Sequence, residues 1–319
     1  MGEASLAESM SLGRIAYNLW YRPVSRLKVM LREGGPLEQR RTAEGRVAMM
    51  EAAAHLPALL QTSGIPLELH LLTGARFWDQ SIFCLWTFAR QSGRTIRPMI
   101  YDDGTLTDAD CEKFTRLFPE TQFYKQSTIL DRLETALAKF PTLQKLRLNY
   151  PNIRKLTDVH IGSSGWKLVI DSDLLFFHNP ALLVEWLDAP RQPLHAVDIE
   201  TSYGYSPDLL NSLAGATLAE RVNVGLTGLN SDDLDWEKIE SWCRTLLERE
   251  GMHYYLEQAV IAMLVAEKSC TVAPAANYIT LPRPPEAMEC NAVMHHYVAE
   301  SKRWYFQRNW RHAMAASAL

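Results

Sequence analysis

KLVIDSDLLFFHNP, residues 167–180, joins a buried-strand pattern to a pair of acids and a helix start. Leu168, Val169 and Ile170 form a short apolar run of the kind that makes a strand buried on both faces. It stops at Asp171-Ser172-Asp173, two acids one residue apart. Carboxylates at the end of a buried strand are costly unless something positive meets them. A divalent cation answers that need, since hard oxygen ligands suit Mg²⁺ or Mn²⁺. The carboxyl ends of strands are also where open α/β sheets bind ligands. Asn179-Pro180 then predicts a helix start, with Asn as N-cap and Pro at the first helical position.

The three letters of D-x-D carry little by themselves. The chain also has Asp108-Ala109-Asp110 and Asp233-Leu234-Asp235. The first opens a polar helix and the third sits in the hydrophilic SDDLDWEK, so both read as solvated capping acids. Only Asp171-Ser172-Asp173 follows a buried-strand pattern.

Strands and helices alternate from Leu67 onward. LELHLLT (Leu67–Thr73) is a strand ending at Gly74, Phe77 to Gln91 a helix, and IRPMIY (Ile96–Tyr101) the next strand. Thr107 begins a helix towards Phe118, and Glu120 to Lys125 is a third, short strand. Residues 131–140 and 143–148 read as helical, broken by Pro141 and Pro151. LHAVD (Leu194–Asp198), VNVGLTGL (Val222–Leu229) and AVMHHYV (Ala292–Val298) are further strands. Trp236 to Arg249 and Tyr254 to Ala266 are amphipathic helices. This alternation predicts an α/β fold, a mainly parallel sheet with helices on both faces. Residues 1–64 read as a helical N-terminal extension, with a good helical stretch from Leu37 to Gln61, and residues 65–319 as the α/β domain.

Of the 319 residues, 47% are apolar and 22% charged, the composition of an ordinary globular protein. A net charge of −4 argues against nucleic acid as a partner. The five cysteines are widely spaced without a C-x-x-C pair, which indicates neither a disulfide framework nor a zinc site and fits a reducing cytoplasm. Arg14, Arg22 and Arg26 interrupt any signal-peptide core. Residues 14–32 hold five basic and no acidic residues among apolar ones, a pattern shared by an interfacial helix at a membrane periphery and by a helix packed on its own domain. Neither G-x-G-x-x-G nor the P-loop pattern occurs.

The order of motifs resembles a metal-dependent GT-A glycosyltransferase, most similar to glycosyltransferase family 8 and its bacterial relatives. KLVIDSDLLFFHNP resembles the family's strand–DxD–strand segment. Asn223, Gly225 and Asn230 in VNVGLTGLN resemble its Asn-x-Gly-x-x-x-x-Asn. Glu257-Gln258 resembles its Asp-Gln-Asp helix start, with Ala259 in place of the second Asp. His296, Lys302 and Trp304 keep the spacing of its His-x-x-Gly-x-x-Lys-Pro-Trp, with Ala299 for the Gly and Arg303 for the Pro.

What the resemblance implies is a transfer from a nucleotide-diphosphate sugar, in particular a UDP-sugar, to a carbohydrate or glycoconjugate hydroxyl, with retention of anomeric configuration. Asp171, Asp173 and His296 would hold Mn²⁺ or Mg²⁺, and Lys302 the diphosphate. Ser172 accompanies the two acids. Thr73, with Leu72 and Gly74, lies where the first strand meets the nucleotide; Asn223 and Gly225 lie on the donor side. Arg154 stands where the family has a donor-touching arginine, and its displaced leucine (Leu156) leaves Lys155 as an alternative. Asp198 and Gln258 would lie beside the reacting sugar. Two other readings stand beside this one. A haloacid-dehalogenase-type phosphohydrolase also has D-x-D after an apolar strand, but near the chain's start and with Thr or Val where Leu175 stands. A GT-A-like domain that has lost catalysis is the non-enzymatic reading, to which Ala259, Ala299 and Arg303 belong.

Overall fold

Short runs dense in Leu, Ile and Val become strands here wherever a turn or an acid ends them. The computed structural model describes residues 34–60 and 62–315; the basic stretch 14–32 lies outside the described residues. The strands are β1 (Leu67–Thr73), β2 (Ile96–Asp102), β3 (Gln122–Tyr124), β4 (Trp166–Ile170), β5 (Leu174–Phe176), β6 (Leu194–Val197), β7 (Val222–Asn230), β8 (Thr271–Val272), β9 (Tyr278–Thr280) and β10 (Met294–His296). Seven of them form one sheet in the order β3-β2-β1-β4-β7-β6-β8, and β5-β10-β9 form a second. In the large sheet β1 runs parallel to β2 and β4, β2 to β3 and β6 to β8, while β7 is antiparallel to both β4 and β6.

Both faces of the large sheet are covered, which is why β4 reads as a continuous apolar run. Leu168 and Ile170 face a core with Leu69, Leu71, Ile82, Phe83 and Phe88, whereas Val169 joins Ile153, Leu156, Val159, Trp242 and Val260 on the other side. That split is the two-residue period of a strand. Helix Pro36–Ala54 closes the first face by lying on the C-terminal helical segment. There Gly45 is obligatory, because a Cβ at that position would sit 2.3 Å from the Phe306 carbonyl oxygen. Among the described residues no helix is long and apolar enough to cross a membrane.

Several boundaries differ from the sequence expectation, each for a local reason. The first helix stops at Ala54, not Gln61; Pro57 is the nearest breaker, and its carbonyl accepts from the Trp86 indole. Pro141 does not interrupt a helix but begins one, Pro141–Asn149, where its missing N–H costs nothing. Residues 137–140 consequently leave the preceding helix, which spans Gln126–Ala136. Asn179 makes no cap; Pro180 itself occupies the cap position before Ala181–Asp188. Asp110 is not a solvated acid: it is buried and closes a reciprocal capping box with Thr107.

The second core encloses several polar groups that pair with one another. Arg147 grips Asp158 with two hydrogen bonds of 2.7 and 2.8 Å. Lys167 Nζ reaches Ser231 Oγ at 2.9 Å, and His160 Nδ1 lies 2.9 Å from the same oxygen. Burial, helped by the nearby Lys167 and Arg132 charges, pushes the His160 imidazole from its usual 6.5 down to about 3. The unfolded chain therefore takes up a proton below pH 6.5 that the fold refuses, and His160 lowers stability as pH falls from 6.5 towards 3. Its share of the slope is about 1.4 kcal/mol per pH unit. We predict that His160→Asn, which keeps a nitrogen near Nδ1, flattens the dependence of unfolding free energy on pH between 6 and 4 by about that amount. Denaturant titrations at several pH values measure it.

Candidate active site

Across the strand ends runs a cleft of about 790 Å³. Its floor follows the sheet order. Thr73 closes β1, Asp103 follows β2, Asp171 follows β4, Asn223 and Gly225 lie near the start of the antiparallel β7, and Asp198 follows β6. Thr73, Arg154, Asp171, Ser172, Asp173, Asp198, Asn223, Gly225, Gln258, His296 and Lys302 all line this one cleft.

The two sheets meet at Asp171-Ser172-Asp173. The Asp171 N–H donates to the Gly225 carbonyl of β7 at 2.8 Å, and the Asp173 carbonyl accepts from the Tyr297 N–H at 3.0 Å. Pairing of β10 with β5 sets His296 opposite Leu174, the residue after Asp173. One oxygen from each of Asp171 and Asp173 and a ring nitrogen of His296 consequently lie within 4.8 Å of one another. Two carboxylates and an imidazole converging on one point fit a divalent first-row cation such as Mn²⁺. Its neighbour His295 turns the other way. It is buried, with Nε2 at 2.7 Å from Glu286 and Nδ1 at 3.0 Å from the Tyr297 hydroxyl.

Charge at the site is balanced from both sides. His296 Nε2 lies 3.3 Å from Asp173 Oδ1 and 3.8 Å from Asp171 Oδ2, and Lys302 Nζ lies 3.1 Å from Asp173 Oδ2. Burial disfavours the Asp173 charge, but His296 and Lys302 outweigh it and hold this carboxyl below its usual range. Burial likewise works against the His296 cation, yet the two aspartates keep its pKa raised. Lys155 approaches from the protein interior. Its Nζ lies 2.7 Å from Asp171 Oδ1 and 3.8 Å from Glu257 Oε1. Burial, reinforced by the Asp171 charge, raises the Glu257 carboxyl to about 7 against the pull of Lys155.

On the far wall Gln258 Nε2 donates to Asp198 Oδ2 at 3.0 Å, so these two act as one unit. Arg154 also lines the cleft, but its Nε donates to the Arg147 carbonyl at 3.2 Å; of the adjacent pair it is Lys155 that reaches the aspartates. Tyr150 and Asp103 are cleft residues that sequence reasoning did not single out, and Glu257, part of a matched motif, was given no role. Glu257 had a signal, its place beside Gln258. Tyr150, whose hydroxyl accepts from the Glu257 N–H, had none.

Two backbone features serve the site. Gly225 lies under the His296 ring, and a Cβ there would fall 2.3 Å from His296 Cε1. Ala299, at φ 46°, adopts the left-handed conformation that glycine takes without strain. The loop between His296 and Lys302 thus turns as a glycine would turn it.

No protein-family model and no curated protein matches the chain. Solved structures do. The galactosyltransferase LgtC, in complex with donor and acceptor sugar analogues, is 13% identical over 79% of this chain and 97% of that one, with a TM-score of 0.51. The bifunctional glycosyltransferase WbbM, without ligand, is 11% identical over 82% of this chain and 51% of that one, with a TM-score of 0.53. The chain spans about half of WbbM. At these identities the likeness is one of fold, and the fold is that of the GT-A glycosyltransferases.

Gly225→Ala displaces the His296 ring and weakens Mn²⁺ binding at least ~10-fold, of the order seen when groups supporting a metal ligand are changed. Gly228→Ala, further along β7, perturbs Trp186 rather than His296 and leaves Mn²⁺ binding unchanged. Calorimetric titration of both variants measures it.

Proposed function

We propose that this protein is a metal-dependent glycosyltransferase that moves a sugar from a nucleotide-diphosphate donor, a UDP-sugar, to an acceptor hydroxyl with retention of configuration. The observation that carries the reading is the convergence of Asp171, Asp173 and His296 within 4.8 Å, beside Lys302, in a cleft at the carboxyl end of a GT-A sheet. A cation held there would neutralise charge on the departing diphosphate.

The chain's own groups suit the remaining tasks. Lys302 is a part-exposed ammonium at the cleft rim, suited to the diphosphate as a point charge. Leu72, Thr73 and the half-buried Phe77 ring form the end under β1, which fits a nucleoside. At the opposite end the Gln258–Asp198 pair offers an amide and a carboxylate held in one orientation, which suits recognition of sugar hydroxyls. Asn223 holds its own β-strand in shape, since its Oδ1 accepts from the Gly225 N–H at 2.9 Å. The phosphohydrolase alternative gains no support, because Asp171 follows the fourth strand of the sheet and not the first.

The test is turnover of a panel of nucleotide sugars with Mn²⁺, followed by release of free nucleotide. Asp173→Asn should lower kcat/KM at least ~100-fold, the usual scale for losing a main electrostatic group. Lys302→Met should weaken donor binding, read as a raised KM. Asp233→Asn, in the exposed polar D-x-D, should change nothing. Absence of nucleotide release from every donor tested, with Mn²⁺ bound, would favour the binding-protein reading.

A further inference from the structure

Lys155 is out of place for a group that serves an anionic donor. It lies on the inner side of Asp171, largely buried, with its ammonium 2.7 Å from Asp171 Oδ1 and 3.4 Å from the Val224 carbonyl oxygen. The carboxylate it touches is one of the three groups that converge on the cation position. An ammonium bonded to an oxygen and a divalent cation nearby repel strongly in a poorly solvated site. A buried ion that loses its partner needs another. Glu257 provides one: it is 2% exposed, its Oε1 has no hydrogen-bond partner, and that same oxygen lies 3.8 Å from Lys155 Nζ.

We propose that Lys155 is an internal counter-ion that competes with the divalent cation for Asp171, and that Glu257 is the carboxylate to which its ammonium moves when the cation binds. The inference rests on the reading that Asp171, Asp173 and His296 hold such a cation. Its consequence is a condition on loading. With Asp171 matched by Lys155 and Asp173 by Lys302, a bare cation meets a site with little net negative charge. A diphosphate brings its own negative charge and occupies Lys302, so cation and donor favour each other's binding. Glu257 is then a positioning residue, acting through Lys155.

Mn²⁺ alone is the probe, titrated by electron paramagnetic resonance of the free ion, with circular dichroism melts to confirm folding. Lys155→Met should bind bare Mn²⁺ about 10-fold tighter than the unaltered chain, since a cation beside the site is removed. Lys155→Gln, which keeps a hydrogen-bond donor for Asp171 without the charge, should show a similar gain and so separates charge from packing. Glu257→Gln should weaken Mn²⁺ binding, and most of that loss should vanish when Lys155 is also Met. Unchanged or weaker binding in both Lys155 variants would overturn the proposal, as would an equal Glu257→Gln loss in the two backgrounds. Failure of the unaltered chain to bind Mn²⁺, with or without UDP, would overturn the metal reading itself and this proposal with it.

Discussion

Two main-chain hydrogen bonds decide where the chemistry of this molecule sits. Asp171 donates its N–H to β7, and Asp173 lends its carbonyl to the segment that follows β10. The D-x-D is therefore held between two sheets, and both of its acids line the cleft. Holding two acids so close is unfavourable unless cations answer them. Lys155 answers from inside the fold and Lys302 from the rim, with the His296 ring between. Much of the surrounding architecture supports that arrangement: Gly225 clears space for the ring, the Arg154–His160 helix delivers Lys155, and the left-handed turn at Ala299 brings round the segment carrying Lys302.

The sequence made part of this legible and left part of it hidden. The central strand was readable because Leu168, Val169 and Ile170 are buried on both faces and the acids end the run abruptly. The first two strands, with their helices, were readable for the same reason. His296, and not His295, keeps the motif spacing to Lys302, and the structure turns His295 inward to Glu286. Lys155 was harder. A short helix starts at Arg154, and one residue of rotation decides which side chain meets Asp171. That rotation is set by packing of Leu156 and Val159 against the second core, which local pattern does not report. The short strands β5, β9 and β10 were similarly hard, since each has three residues and exists only through partners far along the chain.

The departures from the family pattern acquire physical meanings. Ala259 is fully buried in the second core, where an acid would be an unpaired charge. Ala299 keeps the turn despite its Cβ. Arg303 lays its guanidinium over the Trp304 ring at 4.6 Å, within a helical turn. None of the three removes a group from the convergence of Asp171, Asp173, His296 and Lys302.

The central claim is that the clamped acids form a nucleotide–metal centre. Calorimetric titration of UDP into the protein, once with Mn²⁺ and once with EDTA, tests it most directly. Binding should depend on the metal and be abolished in Asp173→Ala. UDP binding of equal strength in EDTA, or binding that survives Asp173→Ala, would contradict it.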